Sequence, residues 1–121
     1  MRTPITNALA YPERIEAGVA RLDLPHIGNL NFAEPNLEQF PCLRLAYQAL
    51  RTGGAAPAVL NAANEVAVEA FFERRLRFTA IAEVVSHALE RLAGLPATSL
   101  AEVLHADAAA RRAAAELVAR L

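Results

Sequence analysis

The sequence predicts a mainly α protein: an antiparallel bundle of four-helix type, preceded by a short helix and an extended linker or strand. Two observations carry this. Over residues 36–121 apolar residues recur every three or four positions in four blocks, each bounded by Gly, Pro or a capping residue. Residues 1–35 lack that period and read as one short helix followed by alternating polar and apolar residues. The expected division is a linker over 1–35, the tail of another domain, and a helical domain over 36–121.

The elements follow in order. "TPITNALAYP" offers a short helix with Thr3 as cap, Pro4 at its first position and Pro12 just beyond its end. In "RLDLPHIGNLNFAEP", Leu30 and Phe32 point one way and Asn29 and Asn31 the other, the period of a strand. A single strand leaves backbone donors and acceptors without a ladder, and a helical bundle has no other strand to give it. Its partner is expected outside this chain, upstream or in a second copy.

"FPCLRLAYQALRTGG" has Pro41 in a first turn, Leu43, Ala46, Tyr47 and Leu50 at helical spacing, and Gly53-Gly54 as the stop. A second bundle helix is expected from about Ala56 to Arg75, with Arg74, Arg75 and Arg77 gathered where cations suit the helix dipole. A third starts behind Thr79 as N-cap, carries Val84, Val85, Ala88, Leu89 and Leu92 on one period, and ends near Gly94 and Pro96. A fourth opens with Ser99 and Glu102 at capping-box spacing, breaks near His105, and continues to Leu121 behind Asp107 as a new cap. Its many alanines permit close helix approach. Short connections make antiparallel closure the natural one.

Bulk properties narrow the function. The chain has 121 residues, 55 % hydrophobic and 21 % charged, with a formal net charge of -1. This excludes disorder by composition and gives no electrostatic reason to bind nucleic acid or an anionic membrane. Every basic side chain apart from histidine is Arg, so no Lys is present for a Schiff base or general-base work. Cys42 is the sole cysteine, which rules out an internal disulfide and favours a reducing compartment. No apolar run spans a bilayer and no secretory leader is visible, so the expected location is cytoplasmic.

Individual residues carry little chemistry. His26, His87 and His105 have no Cys or carboxylate at metal-ligand spacing and read as surface or locally bonded imidazoles. Cys42 reads as a buried thiol. Glu65, Glu69 and Glu73 mark a solvated helix face, and "ERRLR" suits a helix C-terminus. "RFTAIAEVV" has no turn before Gly94, so a helix-turn-helix DNA binder fails on spacing. "AVLNAANEVAVEAFF" is more informative. On a helical wheel Leu60, Asn64, Val68 and Phe71 share one arc with Asn61 beside them, so both amides are expected at or near the core. An unbonded polar group there costs about 1–3 kcal/mol. Asn61 and Asn64 are therefore expected to tie down non-helical backbone, such as the linker around Ile27 to Glu34.

"MRTPI", "YPERIEAGV", "LDLPHIGNLNFAEP", "FPCLRLAYQAL", "LNAANEVAVEAFF" and "LRFTAIAEVV" form a series whose order and spacing resemble the C-terminal part of the 1-deoxy-D-xylulose 5-phosphate reductoisomerases. The resemblance implies a parent enzyme with an upstream NADPH-binding domain and a catalytic domain holding a divalent metal (Mg, Mn or Co). It implies a homodimer that converts 1-deoxy-D-xylulose 5-phosphate to 2-C-methyl-D-erythritol 4-phosphate, opening the non-mevalonate route to isoprenoids. It also implies that the turn Met1 to Pro4 lies near the nicotinamide and substrate pocket, with Met1 an internal methionine of the parent. On this reading the chain itself supplies no catalytic, cofactor-binding or metal residue and is inactive alone. It supports the active site and dimer. The competing expectation is a free-standing helical interaction module, which has no use for an orphan strand.

Overall fold

Alanine, more than leucine or valine, decides how this chain packs. A computed structural model describing residues 1–121 contains six α-helices, one 3-10 turn and no strand. It divides into two units, Met1–Glu34 and Pro35–Leu121.

The first unit holds α1, Arg2–Ala10, and a single turn, α2, Leu24–Ile27. Helix α1 begins two residues before the expected start, with Met1 rather than Thr3 at the N-cap. Pro4 is accommodated because first-turn N–H groups have no intrahelical partner to lose. The expected strand is absent. Asp23 caps α2 by accepting from the His26 amide at 3.3 Å, and Gly28, at φ +70°, donates back to the Leu24 carbonyl at 3.1 Å. A local cap and a left-handed glycine satisfy this backbone without a ladder, and Asn29–Phe32 runs on in neither helix nor strand. No residue of this unit is buried.

The second unit is a helical bundle built from α3 (Pro41–Thr52), α4 (Ala56–Phe72), α5 (Ile81–Leu92) and α6 (Leu100–Val118). Helix α4 is central: it packs most extensively on α6, then α5, and also meets α3. Helix α3 stops at Gly53, whose N–H donates to the Ala49 carbonyl at 3.0 Å. Gly53 and Gly54 both take left-handed φ, +67° and +53°, which two successive residues adopt readily only without a Cβ. Helix α4 ends at Phe72, three residues short of the expected Arg75. Arg74 there sits at φ +61°, its amide bonding the Phe71 carbonyl at 2.9 Å and that of Arg75 bonding the Ala70 carbonyl at 2.8 Å. These paired bonds form a Schellman closure on a residue other than glycine.

Thr79 does not cap α5. It lies inside a 3-10 turn, Phe78–Ala80, that feeds directly into the helix. Helix α6 is unbroken through His105 and Asp107. Asp107 bonds Arg111 one turn on, at 2.8 and 3.2 Å, so its carboxylate does not compete for the helix backbone. At its start Ser99 accepts from the Glu102 amide at 3.3 Å, and the Glu102 carboxylate returns to the Thr98 amide at 2.7 Å and hydroxyl at 2.8 Å.

More than half of the buried core residues are alanines. On α4 they are Ala56, Ala62, Ala63, Ala67 and Ala70, around Val59; on α6 they are Ala106, Ala110, Ala113 and Ala114. Small residues three or four positions apart form a shallow ridge on each helix, which lets the two axes approach closely. Helix α5 supplies bulk to the same core through Ile81, Val84, Val85 and Leu89. No helix of the protein is long and apolar enough to cross a membrane.

Candidate functional site

The inward arc of α4 is the alanine ridge, so the arc carrying Asn64 is turned to the margin. Leu60, Asn64 and Val68 are half-buried, Phe71 is exposed, and Asn61 is exposed. The expectation that both amides lie at or near the core holds for Asn64, at the margin, and is corrected for Asn61: side-chain bulk pointed to one arc, but close helix approach selected the arc with the least bulk. The Asn61 amide nitrogen donates to Glu65 Oε1, one turn on, at 3.0 Å. Asn64 makes no side-chain hydrogen bond within the chain, and no buried side-chain nitrogen or oxygen lacks a partner.

Asn61 and Glu65 belong to a polar cluster linking two helices. Arg111 on α6 donates through Nη2 to Glu65 Oε2 at 2.6 Å and through Nε to Asp107 Oδ2 at 2.8 Å. The Arg111 hydrogen bond, and then that of Asn61, hold the Glu65 carboxyl below its ordinary range. The same carboxylates raise Arg111, first Asp107 and then Glu65. Asp107 was expected as a helix cap; its i,i+4 spacing to Arg111 is the signal that could have paired them, whereas Glu65 as their cross-helix partner had no local signal. The cluster clamps α4 to α6. It contains neither a nucleophile nor an acid–base pair.

The remaining titratable groups are scattered. His26 Nδ1 lies 2.7 Å from Asp23 Oδ2 on an exposed turn, and His87 Nε2 lies 3.4 Å from Arg91 Nη1. Cys42 is exposed, not buried as expected: it stands in the first turn of α3, at the end of the helix, where it lines an open groove with Phe78, Ile81 and Ala82. Partial burial of its thiol pushes the pKa up, opposite to an activated nucleophile. Glu102 is lowered by its bonds to Thr98, a consequence of capping. No three His, Cys, Asp or Glu side chains converge as a metal site. No strand precedes a Gly-rich turn to seat a dinucleotide. Met1, at the N-cap of α1, is 91 % exposed.

What the second unit does present is apolar surface. Phe40, Phe72 and Phe78 are 58 %, 77 % and 72 % exposed, with Phe71 in ring contact with both Phe72 and Phe78. A groove of about 310 Å³ runs between Phe40 and Phe78, floored by Ile81 and Ala82. Sequence reasoning missed this surface because it assigned each apolar stripe to the core.

Comparison with known proteins places the chain in a family. Residues 1–113 match the family model described as the DXP reductoisomerase C-terminal domain. The chain is 64 % identical over 119 residues to the 1-deoxy-D-xylulose 5-phosphate reductoisomerase of Ralstonia nicotianae, covering 98 % of this chain and 30 % of that protein. It is 58 % identical over 121 residues to that of Paraburkholderia xenovorans, again 30 % of its length. The Zymomonas mobilis enzyme, solved with NADPH, superposes with a TM-score of 0.85 at 40 % identity over 98 % of this chain and 32 % of its own. A reductoisomerase solved with NADPH, fosmidomycin and magnesium gives a TM-score of 0.85 at 40 % identity, over 98 % of this chain and 31 % of its own. The chain spans about a third of the length of these relatives. It belongs to the 1-deoxy-D-xylulose 5-phosphate reductoisomerase family and corresponds to its C-terminal domain.

Proposed function

We propose that this chain is the linker and helical bundle of an NADPH-dependent reductoisomerase. The parent converts 1-deoxy-D-xylulose 5-phosphate to 2-C-methyl-D-erythritol 4-phosphate, in the non-mevalonate route to isoprenoids. The observation that carries the proposal is identity of 64 % along nearly the whole chain to a reductoisomerase of which it spans 30 %. The catalytic carboxylates, the divalent metal and the NADPH site belong to the upstream portion, and the parent acts as a cytoplasmic homodimer. Within it the residues over 1–35 are linker, and Met1 approaches the nicotinamide and substrate pocket. Residues 36–121 hold the catalytic portion in place, with Asn64 offering its amide to neighbouring backbone and Asn61 stiffening α4 through Glu65.

The test follows NADPH oxidation with deoxyxylulose phosphate and a divalent metal. The full parent reading frame is expected to turn over, whereas the 121-residue chain is expected to match a buffer blank. Turnover that tracks with the purified chain, or an inactive parent, overturns the proposal.

A further inference from the structure

Arg2 stands where the electrostatics of a helix disfavour it. It is the first residue of α1, whose first turn holds no carboxylate, and a cation there opposes the helix dipole. Whatever Arg2 contributes comes from another contact. Its Nη1 donates to the Gly18 carbonyl at 3.4 Å, across 16 residues. No other hydrogen bond within residues 1–34 spans more than five positions.

The chain returns along one face of α1. Arg2, Thr6 and Ala10 share that face at four-residue spacing, and Thr6, Ala10 and Ala17 are half-buried while every other residue of the unit is exposed. Thr3, Thr6 and Asn7 of α1 face Arg14, Ile15 and Ala17 of the returning segment across one groove. Gly18 follows Ala17 in the left-handed conformation, at φ +62°, and the Arg21–Glu16 pair, at 3.3 Å, spans its bend. Arg2 thus closes the pairing of helix and return at the end where α1 begins.

We propose that Arg2 is a positioning residue of the parent reaction. Its tie to Gly18 fixes the turn Met1 to Pro4 against the returning segment, and so holds Met1 at its place beside the nicotinamide and substrate pocket. This rests on the reading of that turn given under the proposed function. Arg2 touches no reacting atom and acts through Met1. An exposed hydrogen bond is exchanged for water at little net change in stability, so the tie governs placement more than melting. Placement matters to rate: a shift on the order of 1 Å at the reacting groups costs up to about 100-fold.

The experiment measures kcat, KM and melting temperature of the full-length parent and its Arg2→Ala, Arg2→Lys, Gly18→Ala and Arg2→Ala/Gly18→Ala variants, with amide hydrogen exchange over residues 5–10 of α1. Arg2→Ala is expected to lower kcat about tenfold, with KM for deoxyxylulose phosphate within about twofold and the melting temperature within about 1 °C. Arg2→Lys keeps a cationic donor and is expected to restore about half of the wild-type kcat or more. Gly18→Ala moves the bonded carbonyl through backbone strain and not by collision, since the nearest atom to an added Cβ is Arg2 Nη1 at 4.0 Å. The double variant is expected to fall no further than the slower single one, because both substitutions break the same tie. Exchange over residues 5–10 is expected to be about threefold faster in Arg2→Ala, or more.

Wild-type kcat in Arg2→Ala, losses that multiply in the double variant, or Arg2→Lys as slow as Arg2→Ala overturns the proposal. So does a melting temperature that falls in step with kcat, which marks a structural role. A wild-type parent without turnover strikes the proposed reaction instead. Exchange then decides the tie, and unchanged rates over residues 5–10 overturn it.

Discussion

Arg111 on α6 meets Glu65 on α4 at 2.6 Å, joining positions 46 residues apart, while its Nε stays bound to Asp107. One guanidinium thus ties its own helix to the next through two carboxylates. Both side chains of the cross-helix pair are about half-exposed, so the pair sets the register of α4 against α6 more than it stabilises the fold.

The pH dependence of that tie has a defined sign. The folded state holds Glu65 below the ordinary carboxylate pKa of about 4.3, through Arg111 first and Asn61 second. The unfolded chain binds the proton more tightly, so the contribution is present above the ordinary value and is lost as pH falls through the lowered one. Arg111→Ala is expected to lower the melting temperature slightly at pH 7 and to make a smaller difference at pH 2. High salt is expected to shrink the pH 7 effect, because half-exposed charges are screened. Thermal melts at the two pH values and at two ionic strengths check this; an equal loss at pH 2 contradicts it.

The alanine ridge predicts a steep size penalty. Ala67 is fully buried on the face of α4 that carries the ridge. Ala67→Leu is expected to cost about 1–3 kcal/mol, because a well-packed core admits added methylenes only by shifting backbone or side chains. Urea unfolding followed by circular dichroism measures it. Phe72→Leu, on the exposed surface, is expected to stay within about 0.5 kcal/mol in the same chain.

Asn64 separates the chain from its parent. The side chain is half-buried and forms no hydrogen bond here, so Asn64→Leu frees no buried partner. In the 121-residue chain the substitution is expected to change stability by less than about 0.5 kcal/mol. In the parent it is expected to lower the melting temperature, since there the amide is proposed to satisfy backbone of another segment at about 1–3 kcal/mol. Matching melts in both contexts would leave the amide without a role.

The sequence showed the helices better than it showed their faces. The inward face of helix α5, though not its start, was legible, because Val84, Val85, Ala88 and Leu89 form one bulky apolar arc against a polar remainder. Those of helices α3 and α4 were not. Each has two apolar arcs, and a wheel weighted by bulk chooses Tyr47 and Leu50, or Leu60 and Val68, over Ala49, Ala63 and Ala67. Which arc goes inward depends on how closely the neighbouring helix approaches, a property of the pair and not of the segment. The missing strand has a related cause: the alternation around Leu30 and Phe32 records a preference, and pairing needs a second strand. Of the candidate cluster, Asp107 was misread as a cap although its i,i+4 spacing to Arg111 offered a pair, while Glu65 entered only once α4 and α6 were side by side.

The first 34 residues contain no buried side chain, and this changes how the chain melts. Surface that is already mostly wet gains little from unfolding, so those residues add little heat capacity or denaturant sensitivity to the transition. The calorimetric heat-capacity step, about 12–15 cal/mol/K per residue, is set by the residues from Pro35 onward. The urea m-value scales the same way, with newly exposed area. Measured against its mass, the isolated chain is a protein that unfolds less than its length.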